Sequence, residues 1–580
     1  MSTPLSTSAH RARRRSRLTA ICTAAVIAVG GYTPLAQAAE EPAGATVAAE
    51  AKETEQSAPA LPRLTEWPER NRAEATTRAA ATGSRTDFDG DGIGDVVARD
   101  NWVTGLWVST SSGEYGDWYL GETGFTDVIL PGNILDGEAN DLLTLTASGH
   151  LTLFSDVDVT NPEPLASWYG TGWQIYNKVL SPGDLTGDGR PDLLGRLPNG
   201  DLYLYRSTGD YAAPFAARVK VGSAFNQFDQ LVGAGDLTGD GLGDVLARNT
   251  KGELFLYRGT GDAANPLATR TTVGAGWAQY NQIFGVDDFD GDGVADLLAR
   301  QYDGTMYFYS GNGAGGFAGR LLLEEGWQGP QLAGAGGNGY FGKNDFHGRT
   351  SAGTLWWYVS NGDGTLQPRQ DLGADWGSDS YLVYASALTD FMPGDELVRY
   401  NPTGELYAYW DGSLVGPGWN AMNLIIGPGD LNADGKGDLI ARDRSGNLYL
   451  YRGQGTGNSF ASRILIGGGW NMFDRIVGSG DVTGDGRPDI LARTSAGELF
   501  LYRGTGNSTA PFAARQLVGS GWNMFRNLTS PGDLDGDGYA DLVGSNSAGE
   551  LYFYSADHTG GFKGRVRIGN SGWNGYTGLF

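Results

Sequence analysis

A ten-residue phrase, Gly183-Asp-Leu-Thr-Gly-Asp-Gly-Arg-Pro-Asp192, returns along this chain as Gly235–Asp244, Gly429–Asp438, Gly480–Asp489 and Gly532–Asp541. Close variants end at Asp95 and Asp296, and worn copies, placed by their flanks, end at Asp141, Asp345 and Asp395. The final aspartates lie 43 to 52 residues apart, so ten copies of one unit fill the chain from residue 84 to residue 580. A period of that length marks a solenoid, propeller or array, in which each unit buries its apolar faces against its neighbours.

Within one unit the pattern is β. Leu193-Leu194 follows the aspartate phrase, a turn falls at Gly200, and Leu202-Tyr203-Leu204-Tyr205 alternates with both faces apolar. A loop through Thr208-Gly209 leads to a third strand at Arg218–Val221. A fourth is read in the Gly-Trp phrase, best seen at Gly469-Trp470-Asn471-Met472-Phe473. The apolar period of two and the frequent glycines exclude a helical repeat. Four short antiparallel strands per repeat predict one propeller blade. The expected fold is therefore all-β, a β-propeller of ten four-stranded blades.

A slower period overlies the first. Repeats five and ten share Tyr-Phe-Tyr-Ser, at Tyr307–Ser310 and Tyr552–Ser555, then Gly-Gly-Phe-x-Gly-Arg ending at Arg320 and Arg565. Repeats four and nine share Gly-Glu-Leu-Phe-Leu-Tyr-Arg-Gly-Thr-Gly, and repeats two and seven are both worn, with Asp136 and Asp390 displaced alike. This predicts a duplicated five-blade unit: residues 84–334 and 335–580 as two tandem five-bladed propellers, with one ten-bladed ring as the rival. Each half ends on a Gly-Trp segment, Gly326-Trp327 and Gly572-Trp573, that can close onto its own first blade and remove a free edge.

The chemistry lies in a nine-residue loop with oxygen-bearing side chains at positions 1, 3, 5 and 9, glycine at 6, and a carbonyl offered by position 7. Calcium takes six to eight hard oxygen ligands at about 2.3–2.6 Å, and alternate residues of a tight turn can aim theirs at one centre. In the first loop the ligand set is Asp87, Asp89, Asp91, Ile93 through its carbonyl, and Asp95. Repeats three and four offer Asp184, Thr186, Asp188, Arg190 and Asp192, and Asp236, Thr238, Asp240, Leu242 and Asp244. Repeats five and eight offer Asp288, Asp290, Asp292, Val294 and Asp296, and Asp430, Asn432, Asp434, Lys436 and Asp438. Repeats nine and ten offer Asp481, Thr483, Asp485, Arg487 and Asp489, and Asp533, Asp535, Asp537, Tyr539 and Asp541. Position 7 serves by its carbonyl in every case. Seven intact loops hold 24 aspartates, against a formal net charge of −25, and predict about seven Ca2+ ions per chain.

Asp-Gly turns without metal are the bland alternative, and seven in phase argue against it. An EF-hand needs a glutamate at its twelfth position, where the third repeat has Gly195. The worn loops lack ligands. Gly337, Gly339 and Phe341 stand at positions 1, 3 and 5 of the sixth, Ala387, Thr389 and Phe391 in the seventh, and the second keeps only Asn133 and Asp141.

At these loops, from Thr86 to Phe580, the chain resembles the FG-GAP or VCBS-type repeats of bacterial exported proteins and integrin α-subunit propellers. The resemblance implies that the loop joins two strands of one blade and binds calcium. That family's familiar propellers have seven blades, from which ten repeats depart. The recurring Gly276-Trp277, Gly469-Trp470-Asn471 and Gly521-Trp522-Asn523-Met524-Phe525, each preceded by an arginine strand, also resemble tachylectin repeats. That likeness implies lectin activity toward N-acetylated sugars. Most of these aromatic residues are expected to pack between blades, with a few beside Asn471 or Asn523 left as sugar platforms.

Ahead of the repeats, residues 1–38 read as a signal peptide: Arg11, Arg13, Arg14, Arg15 and Arg17, the apolar run Leu18–Val29, then Ala36-Gln37-Ala38. Sec and Tat export both remain open. Residues 39–83, rich in Ala, Glu, Thr and Pro, read as a disordered linker or pro-segment. The one cysteine, Cys22, falls in the signal, so a secreted mature chain has no disulfide. Net acidity excludes nucleic acid, and the apolar run is too short for a membrane span. His150, His347 and His558 are scattered singles read as surface residues, and no nucleophile motif is present, so no enzyme is expected. The expected partner is a cell-wall or extracellular glycan, the alternative a protein ligand bound by an adhesive scaffold.

Overall fold

The computed structural model describes residues 64, 67–68, 84–99, 105–120, 125–334, 342–374, 376–377, 379–389, 394–400, 402–409 and 411–580. The signal, nearly all of 39–83 and the worn-loop positions Gly337, Gly339, Phe341, Asp390 and Phe391 lie outside them. Among the described residues there is no α-helix, and no helix is long and apolar enough to cross a membrane.

Among the described residues ten four-stranded antiparallel sheets form, one blade per repeat. In the third blade the strands are Lys178–Gly183, Asp192–Arg196, Leu202–Tyr205 and Val219–Gly222, in that order across the sheet. The aspartate loop joins the first of these to the second, as it does in blades four, five, eight, nine and ten. The third strand buries its leucines and leaves its tyrosines half-buried, because a neighbouring blade covers one face more fully than the other.

Two blades borrow their first strand. Gln331–Ala333 pairs with Val96–Arg99 of the first blade, and Tyr576–Leu579 pairs with Asp345–Thr350 of the sixth. Both borrowed strands end a run of five blades.

The Gly-Trp phrase differs from expectation. Trp470–Met472 form a turn of 3-10 helix, and the strand begins only at Phe473 and serves the next blade. Gly469, at φ 86°, supplies the left-handed residue that starts the turn. The indole is thereby driven inward: Trp470 is 8% exposed and lies 4.8 Å from the Tyr502 ring of the following blade. The same stack recurs as Trp173–Tyr205, Trp277–Tyr309, Trp419–Tyr451, Trp522–Tyr554 and Trp573–Tyr358. Offset aromatic pairs of this kind contribute about 0.5–1.5 kcal/mol beyond their buried area.

At the seam between the fifth and first blades the tyrosine is missing. By register, Ser109 opposite Val96 stands where Tyr205 stands opposite Leu193. Leu64 and Trp67 fill the gap: Leu64 is buried, its amide donates to the Ser109 hydroxyl, and Trp67 stacks 5.4 Å from Phe289. The stretch read as a spacer thus contributes one core residue, Leu64, and a partly buried tryptophan packed against the core. Its average composition hid one apolar pair between prolines.

Candidate metal centres and a repeated rim site

Each intact loop is organised by its own carboxylates. The first aspartate accepts two backbone amides: Gly187 N and Gly189 N donate to Asp184 at 2.7 and 2.6 Å, and Gly291 N and Gly293 N to Asp288 at 2.7 and 2.9 Å. The fifth-position aspartate accepts from position 7, where Val294 N donates to Asp292 at 2.9 Å. Position 9 reaches further. Asp296 accepts Phe289 N at 2.8 Å within the loop and Gly311 N at 2.8 Å from the blade's far turn. Asp192, Asp244, Asp438, Asp489 and Asp541 are held in the same two ways. This aspartate ties the loop to the sheet as well as facing the candidate centre, a role its ligand-like spacing did not disclose.

Three loops bring acidic side chains together with oxygens within 4.8 Å of one another: Asp87, Asp89 and Asp95; Asp288, Asp290 and Asp296; Asp533, Asp535 and Asp537. These groups could hold a metal ion, and they are the loops with aspartate at position 3. Where threonine or asparagine stands there, a neutral oxygen replaces the third carboxylate. Buried oxygens of Asp95, Thr186 and Asp535 have no hydrogen-bond partner. Such groups cost about 1–3 kcal/mol each when left unmet, and an oxygen-seeking cation would meet them. The donor set is all oxygen and suits a hard cation.

Burial, then the neighbouring aspartates, push these carboxyl groups up: Asp95 to about 9, Asp438 to about 8, Asp192 and Asp244 to about 7, Asp288 to about 6. Asp296, Asp489 and Asp541 rise well above the usual range for the same reasons. Charge confined in this way favours a divalent partner.

Two worn loops show how a blade manages otherwise. In the second, Asn133 both accepts Gly137 N and donates to Gly137 O, at 2.8 Å each, and Asp141 accepts Ile134 N and Leu135 N. In the sixth, Asp345 accepts the Tyr384 hydroxyl and the Trp357 indole N–H, beside a buried Lys343.

The histidines correct the sequence reading. His150 is exposed, but His347 is fully buried, and the His558 side chain is 8% exposed between Asp229 and Asp537. Both follow from tertiary neighbours far off in sequence. Against its burial, Asp537 and Asp229 push His558 up to about 9.

A second recurring feature lies on the rim. An arginine preceding the fourth strand lies over the first aromatic residue of the third: Arg218 over Tyr203 at 4.6 Å, Arg320 over Tyr307 at 4.3 Å, Arg515 over Phe500 at 4.5 Å, Arg565 over Tyr552 at 4.8 Å. The 3-10 turn leading into the blade supplies a polar or soft neighbour. Arg320 donates to Gln279 at 2.9 Å, Arg515 contacts the Met472 sulfur at 3.4 Å, and Arg565 the Met524 sulfur at 3.2 Å. Met472 and Met524 are exposed whereas Trp470 and Trp522 are not. Trp470 and Trp522 therefore offer no exposed ring face. What the rim exposes beside the half-buried ring is the arginine laid on it and, in two blades, the turn methionine next to that arginine.

Residues 184–247, 236–299, 430–492 and 481–544 match the model of the FG-GAP-like repeat. No curated protein matches the chain. Among solved structures it is similar to an Agrocybe aegerita lectin described as recognising non-reducing terminal N-acetylglucosamine, at 17% identity over 84% of this chain and 93% of that one, TM-score 0.20. It is also similar to the BP39L lectin from Burkholderia pseudomallei, at 15% identity over 68% and 99%, TM-score 0.25. The Photorhabdus luminescens Tc holotoxin pore matches at 14% identity over 85% and 26%, TM-score 0.24.

Proposed function

We propose that this chain of FG-GAP-like repeats is an exported, calcium-stabilised propeller protein that binds glycan at equivalent sites around its rim. Residues 1–38 are its cleaved signal, and residues 84–334 and 335–580 its two five-bladed units. The borrowed strands Gln331–Ala333 and Tyr576–Leu579 support the division into units.

The observation that carries the glycan reading is the recurrence of the rim site. The guanidinium plane laid on the ring, with the turn residue beside it, offers a flat surface edged with N–H donors, which suits a sugar with one apolar face and an edge of hydroxyls. Each site is shallow and would be weak alone. Equivalent sites on one chain gain by avidity, since the second binding event becomes intramolecular.

The loops would hold about seven Ca2+ ions through the aspartates, threonines and asparagine at positions 1, 3, 5 and 9. A bound ion supplies the charge that lets buried carboxylates stay ionised. The residues themselves set the loop shape beforehand, through the amides each carboxylate accepts.

A glycan array probed with the full chain, in calcium and in chelator, tests the reading. Binding that free N-acetylhexosamine competes away, and that Arg515→Ala and Arg565→Ala together weaken without lowering the melting temperature, is the expected result. A silent array alongside a retained extracellular protein partner would replace glycan with protein as the ligand.

A further inference from the structure

The C-terminal blades meet the N-terminal ones through their aspartate loops. Loops eight, nine and ten face the end of blades two to four that lies opposite those blades' own aspartate loops, across a cavity of about 490 Å³ lined by Asn177, Asp229, Asp430, Asp481 and Tyr539. The tenth loop makes the densest set of contacts. Asn281 Nδ2 donates to the Asp535 carbonyl at 3.0 Å, Arg300 to the Gly536 carbonyl at 3.3 Å, and the Tyr302 hydroxyl to Asp537 at 3.3 Å. In return the Tyr539 hydroxyl donates to the Asp229 carbonyl at 3.3 Å, and His558, stacked 3.8 Å from Tyr539, lies between Asp537 and Asp229.

Repeats five and ten descend from one unit, yet they differ where these contacts fall. Asn281, Arg300 and Tyr302 of repeat five are replaced by Arg526, Ser545 and Ser547 in repeat ten. Conversely Tyr539 and His558 of repeat ten stand where repeat five has Val294 and Gly313. Each half keeps a contact set only on the side that meets the other. The loop they grip is itself a candidate metal centre: Asp533, Asp535 and Asp537 converge, all three are buried, and one Asp535 oxygen has no partner.

We propose that the tenth loop is a metal-dependent latch, in which cation binding by Asp533, Asp535 and Asp537 and docking of the N-terminal blades through Asn281, Arg300 and Tyr302 stabilise one another. The inference rests on the calcium reading above. The physical reason is that the docking groups grip carbonyls and a carboxylate of the loop itself, so its shape and charge are common to both events. Coupling of this kind is reciprocal: a docking residue that touches no ion must still alter the affinity for one.

The test uses the full chain. Calcium retained per chain is measured across graded chelator buffers for wild type and for Asn281→Ala/Tyr302→Phe. One calcium equivalent should need about fivefold more free calcium in the variant, a coupling at the low end of those known, with the rest unmoved. Small-angle scattering then compares Asp535→Asn with Asp290→Asn, the matching loop of the fifth blade. Each should lose one calcium, and only Asp535→Asn should lengthen the particle. A double variant that titrates like wild type, or equal scattering from the two loop variants, overturns the latch. Should Asp535→Asn fail to fold, the double variant decides alone. No calcium in any loop would sink both this inference and the calcium reading, whereas calcium elsewhere with an indifferent junction sinks only the latch.

Discussion

Asp184 holds the amides of Gly187 and Gly189, and Asp192 holds those of Leu185 and Ser207, so each loop is shaped by its own carboxylates. The cost is electrostatic, and it fixes a pH dependence. Carboxyl groups raised to between about 6 and about 9 bind protons more tightly folded than unfolded. Their contribution to the stability of the metal-free protein is therefore largest below the unfolded value near 4 and is lost as pH rises through the folded values. Melting of calcium-stripped protein should fall from pH 5 to about 9, and calcium should reverse the trend while releasing protons measurable by calorimetry in buffers of different ionisation heat. The eighth loop has a further flaw: Ala433, at φ 60°, stands where Asp-Gly loops have glycine. Ala433→Gly should raise stability by about 0.5–1 kcal/mol, read as a higher denaturant midpoint, because glycine carries no Cβ penalty there.

Between blades, the unit of cohesion is an indole thrown inward by a 3-10 turn onto the next blade's tyrosine. Alternating apolar letters in Gly-Trp-Asn-Met-Phe imitate a strand, and only the left-handed glycine betrays the turn. Tyr203, Tyr307 and Tyr552, by contrast, are legible as strand residues from their spacing, though not as the floor of an arginine-covered rim site. The seam at Ser109 depends on Leu64 and Trp67. Leu64→Ala should cost about 2–5 kcal/mol by the usual measure of an emptied core position, and deleting residues 39–68 should lower the melting temperature of the chain. Ser109→Tyr in the deleted chain should restore part of it. Restoration by no aromatic residue at 109 would show that the segment acts some other way.

For the molecule as a whole, the strand pairings join the ends of each five-blade run. Metal analysis of the calcium-loaded chain should return about seven ions, and particle imaging should show two small rings in contact through the tenth loop. One large ring would discard the duplication argument. N-terminal sequencing of secreted material should begin after Ala38; a start beyond Trp67 would remove the seam's filling and contradict its structural role.

The sequence by itself determined the blade, the count of ten and the places of the aspartate loops, because each follows from local periodicity that repetition reads out again and again. Tertiary structure decided what repetition cannot carry: the borrowed strands, the role of Leu64 and Trp67, the burial of His347 and His558, and the meeting of the tenth loop with Asn281, Arg300 and Tyr302. These contacts join residues a hundred or more positions apart or depend on which faces are covered. They leave single substitutions in an otherwise regular pattern, and such substitutions acquire meaning only when both sides of the contact are seen.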